Sequence, residues 1–166
     1  MKCAIVADAG PLIGLARAEL LPLLPALGSP VVIPPQVLAE LLPRDSSPGA
    51  SELRAALRAG WLRVISPLDT VSRVSLTPLD PGEEAALLLA TQLGRQSRFL
   101  LLDERRGRAV AARHGVRVLG TAGLLLTAKS MRVLPEVLPA MDRLRAAGYY
   151  ISLELRLKLA ELAGEG

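Results

Sequence analysis

The chain of 166 residues is 51% hydrophobic but only 2% aromatic; it can bury a core of Leu, Val, Ile and Ala, and has few rings on which successive bases could stack. A single cysteine, Cys3, and a single histidine, His114, exclude an internal disulfide and an ordinary Cys/His zinc site, so any bound metal must sit on oxygen. The net charge of +4 is uneven: residues 1–83 carry seven Lys/Arg against eight Asp/Glu, and residues 84–166 carry thirteen against eight, a basic half suited to a polyanionic partner.

The apolar run Ala4 to Ala7 reads as a strand ending at Asp8, with a turn at Gly10-Pro11 and a helix carrying Leu12, Leu15 and Ala16 on one face. That run reaches a carboxylate too early for a secretory leader, and no uncharged stretch is long enough to span a bilayer, which points to a cytoplasmic protein without membrane partners. Pro30 to Pro35 brackets a brief buried strand, and Pro35 opens a helix from Gln36 to Leu42 that carries Glu40. A loop at Arg44 to Gly49 precedes a helix capped by Ser51 and closed by Gly60, then a strand at Trp61 to Ile65.

Residues Ser66 to Pro81 read as irregular, Glu83 to Leu93 as a strong helix stopped by Gly94, and Phe99 to Leu102 as a strand ending at Asp103. A basic helix from Glu104 to His114, a strand at Val116 to Leu119, and a helix from Gly120-Thr121 through Lys129 follow. Two amphipathic helices, Pro135 to Ala147 and Ser152 to Ala163, complete one domain over residues 1–166, with no repeat or interdomain linker. Strands alternating with helices predict a parallel sheet covered on both faces.

The position of the acids is the informative feature. Ligands of open parallel sheets bind beyond the carboxyl ends of the strands, where strand order reverses, and Asp8 and Asp103 each follow an apolar strand directly. Adjacent strands lie roughly 4.8 Å apart, so two such carboxylates can share one hard cation. Glu83 aligns with Ala86, Ala90 and the apolar helix face, and Glu40 with Val37 and Leu41, so both acids are expected to turn inward. Each has a plainer role open to it: Asp8 and Asp103 as helix caps, Glu83 and Glu104 as first-turn acids, Glu40 as an exposed helix acid. Oxygen ligands holding Mg²⁺ or Mn²⁺ are what metal-assisted phosphodiester hydrolysis requires, and that chemistry needs no protein nucleophile.

Together, Val6-Ala7-Asp8-Ala9-Gly10-Pro11-Leu12-Ile13, Ile33-Pro34-Pro35-Gln36-Val37-Leu38-Ala39-Glu40, Leu79-Asp80-Pro81-Gly82-Glu83-Glu84 and Leu101-Leu102-Asp103-Glu104-Arg105-Arg106 resemble, in order, the four acidic motifs of PIN domains. Gly120-Thr121-Ala122-Gly123-Leu124-Leu125 and Ala147-Gly148-Tyr149-Tyr150-Ile151-Ser152 resemble a prokaryotic branch of that family often described as nucleic-acid-binding. The resemblance implies a three-layer α/β/α fold with about five parallel strands and a Mg²⁺- or Mn²⁺-dependent endoribonuclease, frequently the toxin of a toxin–antitoxin pair with a small antitoxin partner, and homodimers. It assigns metal and catalysis to Asp8, Glu40, Glu83 and Asp103, and makes Thr121 a contact for phosphate or a support beside them; Glu104, next to Asp103 in the chain, is a further candidate to support the ligands. Gly10 stands where many members have Ser or Thr, and Glu83 where toxin-type members usually have Asp.

Arg105, Arg106, Arg108 and Arg113 follow Asp103 on one helix, where they either hold phosphates beside the cut site or form a solvated face. A PIN-fold binding or assembly module with weak catalysis is the alternative that Gly10 keeps open. A phosphoacceptor receiver needs paired acids at the first strand, and Asp8 stands alone there.

Overall fold

The computed structural model describes residues 2–42, 47–68 and 79–166. Five strands, β1 (Ala4–Ala7), β2 (Val31–Ile33), β3 (Leu62–Val64), β4 (Ser97–Leu101) and β5 (Val118–Leu119), form one sheet in the order β3-β2-β1-β4-β5. Every pairing is parallel, and the helices flank the sheet in a three-layer α/β/α arrangement. The chain builds outward from β1 to β3, then crosses back to place β4 on the other side of β1. Strand order therefore reverses between β1 and β4.

In chain order the helices are α1 (Ala9–Arg17), the short α2 (Leu23–Ala26), α3 (Pro35–Leu41) and α4 (Ala50–Ala59). After them come α5 (Pro81–Leu93), a 3-10 turn at Gly94–Gln96, α6 (Arg105–Arg113), α7 (Thr121–Ser130), α8 (Val137–Ala146) and α9 (Leu153–Ala163). Ile5, Leu12, Leu15, Leu24, Ile33, Leu87, Leu100 and Leu124 are wholly buried in one continuous core. Each such side chain contributes about 1.5–3 kcal/mol relative to exposure, which is how a chain nearly without aromatics holds a parallel sheet together.

Several boundaries differ from the sequence reading for local reasons. Gly10-Pro11 is not a turn but the first turn of α1, where a missing N–H leaves no helical bond unmade. Gly49, in the left-handed conformation, starts α4 ahead of Ser51, whose hydroxyl donates to Glu52 instead of capping. Helix α5 begins at Pro81 with Asp80 as its N-cap residue, two positions before the expected start. The short α2, between Pro22 and Leu27, has no periodic signal. The expected loop at 44–49 and irregular stretch at 66–81 fall partly outside the described residues.

The two C-terminal helices are clasped to the rest by Glu165. Its carboxylate accepts the first two amides of α8, Val137 at 2.7 Å and Leu138 at 2.8 Å, and pairs with Lys129 of α7 at 2.6 Å. Burial works against ionisation there, but the Lys129 ammonium and those two amides outweigh it and bring the Glu165 carboxyl down to about 2.

Candidate active site

Register places the two strand-end aspartates. Ala7 of β1 pairs with Leu101 of β4, and the amide of Asp8 donates to the Leu101 carbonyl at 3.0 Å. Asp8 and Asp103 thus leave neighbouring strands at the carboxyl edge, on either side of the reversal in strand order.

Asp8 is 8% exposed and is the N-cap residue of α1, yet its side chain makes no capping bond. Its Oδ1 is buried with no hydrogen-bond partner among the described residues. Burial raises the Asp8 carboxyl to about 7 against the pull of the Ala9 amide, with Glu83, Glu40 and Asp80 adding like-charge repulsion. Such a group is expensive to keep ionised unless a cation joins it.

Glu83, on the first turn of α5, is also buried. Burial raises its carboxyl, the Asp80 amide lowers it, and Asp80, Glu104 and Glu40 raise it further. The bond from the Asp80 amide is half of a capping box, so Glu83 both holds its helix start and faces the other acids. Glu40 lies on an exposed position of α3, not inward as its stripe suggested, but its carboxylate abuts Gly82 so closely that any Cβ there would collide with it. Glycine at 82 is what lets α3 and α5 bring Glu40 beside Glu83. The acids that act on one another are therefore Asp8, Glu40, Glu83 and Asp80, with Glu104, the N-cap residue of α6, acting on Glu83 as well.

Asp103 meets different surroundings. Leu101 pairs with Leu119 of β5, so two residues further on Asp103 faces Thr121. The Thr121 amide donates to Asp103 Oδ1 at 2.7 Å, and its hydroxyl donates to Oδ2 at 2.8 Å. Thr121 is 2% exposed, which makes it a support for Asp103 rather than a contact for phosphate. Gly120 has no side chain to intervene: Asp103 Oδ1 and the Arg108 guanidinium lie 3.1 and 3.4 Å from where its Cβ would stand.

The third partner of Asp103 is Tyr149, whose hydroxyl donates to Oδ2. Burial and the Asp103 charge raise the Tyr149 hydroxyl above its ordinary range, so it remains a donor. A helix-ending turn delivers it. Gly148, at φ +95°, follows α8, its amide bonds the Arg145 carbonyl at 3.0 Å, and the Tyr149 amide bonds the Leu144 carbonyl at 2.9 Å, the two bonds of a Schellman motif. The ring then packs on Gly14 of α1, where a Cβ would strike it.

The arginines at 105, 106, 108 and 113 are all exposed on α6, whose buried face is Gly107, Val110 and Ala111. A cavity of about 550 Å³ at the opposite end of the strands is lined by Arg95, Arg98, His114 and Arg117. It is remote from the acids, and Arg98 there already donates to the Leu27 carbonyl and to Ser29.

A family model described as DUF3368, PIN domain, matches residues 4–165. The chain belongs to the PIN-domain family. PIN domains are generally nucleases, and this one has the nuclease-type fold with its acids at the expected edge of the sheet. No curated protein and no solved structure matches the chain. No helix among the described residues is long and apolar enough to cross a membrane.

PIN nucleases typically use divalent metal. Among the described residues no three His, Cys, Asp or Glu side chains are placed so as to hold a metal ion together. The donor chemistry nevertheless fits a hard cation: all-oxygen groups, mutually repelling carboxylates, and a buried Asp8 Oδ1 lacking a partner. Sequence reasoning placed two residues of this PIN domain in its motifs without giving them a task. Asp80 was masked by its role as the start of α5, and Tyr149 lies 46 residues from the group it supports.

Proposed function

We propose that this PIN domain, working as one unit over residues 4–165, is a divalent-metal-dependent endoribonuclease. Asp8, Glu40, Glu83 and Asp103 hold Mg²⁺ or Mn²⁺ in this reading, and Asp80 joins them. The observation that carries it is the buried, partnerless Oδ1 of Asp8, in a carboxyl raised by burial and three neighbouring acids. A bound divalent cation supplies relief of that repulsion, activation of water and neutralisation of charge on a phosphate oxygen.

The residues divide the remaining work. Asp8 and Glu83 present charge from buried positions where water does not screen it. Thr121 and Tyr149 fix both oxygens of Asp103, and such support around a ligating carboxylate is worth roughly 10–100-fold in activity or metal affinity. Arg105, Arg106 and Arg108, exposed beside Asp103, hold flanking phosphates of the RNA. The toxin role, a small antitoxin partner and a homodimer extend the same reading; Leu153 and Leu157, 70% and 59% exposed on α9, support a second copy seated there.

A second reading, a PIN-fold binding module, is favoured by one observation: both oxygens of Asp103 are already engaged within the chain. Purified protein incubated with structured and unstructured RNA in Mn²⁺, Mg²⁺ or EDTA, beside Asp8→Asn, separates the two. Cleavage that requires both metal and Asp8 is the expected result; binding without cleavage in every metal selects the module.

A further inference from the structure

Directly beside Asp103, a cavity of about 560 Å³ opens between the start of α7 and the segment joining α8 to α9. Pockets for nucleotide-sized molecules run roughly 300–1,000 Å³. Arg108 and Lys158 stand on its lining, and Asp103 is the one carboxylate there among the described residues. The two cations outnumber the one carboxylate, which is turned onto Thr121 and Tyr149, so they give the cavity an anion-seeking rim. Neither has a carboxylate partner among the described residues.

The other wall is apolar, with Ile151, Leu155 and Leu159, and it carries Tyr150, which is 86% exposed. The chain has two tyrosines, and the turn at Gly148 sends one to Asp103 and the next to this cavity. An uncharged peptide would bury Arg108 and Lys158 without a counter-charge, at substantial cost. A nucleoside phosphate satisfies both walls, with its phosphate on the cations and its base against the ring and the leucines.

We infer that this cavity is a single-nucleotide subsite, which takes one base of the RNA beside the cleavage position. The assignment of RNA rests on the ribonuclease reading; the cavity's preference for a nucleoside phosphate does not. A low aromatic content argues against a long stacking groove, and one ring at one pocket is consistent with that. The subsite also gives the segment 147–152 two tasks, support of Asp103 through Tyr149 and capture of a base through Tyr150.

The test is calorimetric titration in EDTA of the full chain, and of Tyr150→Ala, Tyr150→Phe and Lys158→Ala, with adenosine 5′-monophosphate, adenosine and inorganic phosphate. The monophosphate is expected to bind about tenfold more tightly than either fragment. Tyr150→Ala is expected to weaken it about tenfold and Tyr150→Phe to retain it, the range for loss of one base–aromatic stack. Lys158→Ala is expected to weaken the monophosphate and leave adenosine unchanged. Melting temperatures check that each variant is folded.

Equal affinity for monophosphate and phosphate, or no effect of Tyr150→Ala, overturns the subsite. Monophosphate binding that disappears as protein concentration rises also overturns it, because a second copy then fills the cavity. Cleavage assays in Mn²⁺ separate the two ideas. RNA cut at the same rate by the wild type and by Tyr150→Ala removes the subsite and leaves the nuclease, whereas the expected monophosphate binding without any RNA cleavage removes the nuclease and leaves the subsite.

Discussion

Asp8 and Asp103 stand at matching places on adjacent strands and have opposite surroundings. Asp103 is held by an amide and two hydroxyls, every one a donor to its ionised form. Asp8 is more deeply placed, faces three other acids, and keeps one oxygen without a partner. The difference teaches that a strand-end position supplies only proximity; whether a carboxylate is already satisfied or still needs a cation depends on which distant elements arrive beside it.

Asp8→Asn tests the deprived side and is expected to have the largest effect, reducing metal-dependent cleavage on the order of 10²–10³-fold, the scale for one lost charge-stabilising group. It should also stabilise the metal-free protein at neutral pH. The sign follows from proton uptake: with its pKa raised from 3.8 to about 7, folded Asp8 retains a proton that the unfolded chain has lost, so stability falls as pH rises through that window. The slope is at most about 1.4 kcal/mol per pH unit. Thermal melts from pH 4 to 8 should show a shallower decline in the variant than in the wild type, the remainder coming from Glu83, whose carboxyl burial also raises, and Mn²⁺ should raise only the wild-type melting temperature.

Tyr149→Phe tests the satisfied side. The ring stays on Gly14 while Asp103 loses a donor, so cleavage should fall about tenfold and stability by about 1 kcal/mol. Unchanged kcat would mean that the held geometry of Asp103 is irrelevant to turnover. Gly14→Ala sharpens the point from beneath by pressing a methyl into the Tyr149 ring, at a cost of about 1–3 kcal/mol. Most of that cost should vanish in a Tyr149→Ala background, a coupling that a double-mutant cycle in urea measures.

Glu165→Gln addresses the clasp of α7, α8 and α9. The folded Glu165 carboxyl lies near 2, below its ordinary 4.5, so its stabilisation is present above about 4.5 and is lost as pH falls toward 2. The variant should be less stable than the wild type at pH 7 and equal to it near pH 2. The smallest effect expected is from Arg105→Ala with Arg106→Ala: severalfold weaker RNA binding, with the salt dependence reduced by about one in log–log slope per arginine. An unaltered slope would place the RNA path elsewhere.

The sheet was legible because apolar runs such as Val31 to Ile33 and Phe99 to Leu101 end sharply and helices such as α5 stop at glycine. The placement of Asp8 and Asp103 at the ends of neighbouring strands β1 and β4 followed from the strand-end positions, and the positions of the helix-borne acids were harder to read. Glu40 reads as inward by its stripe, yet α3 is short and ends at Leu41, so the carboxylate reaches Glu83 along the surface past Gly82. Asp80 was hidden because Asp-Pro-Gly-Glu is already a good helix start. The bond from Tyr149 to Asp103 has no local pattern at all; it depends on where α8 docks, which is a property of the completed core.

The contact that secures Asp103 also sets an order of events in time. Asp8, Glu40, Glu83 and Asp103 all leave the ribosome before α8, and the hydroxyl that steadies Asp103 arrives 46 residues after it. A nascent chain therefore carries its acids for a period in which one of them is unbraced and Gly14 has no ring upon it. In a PIN domain so arranged, the bracing of Asp103 is postponed until translation of the C-terminal helices has finished.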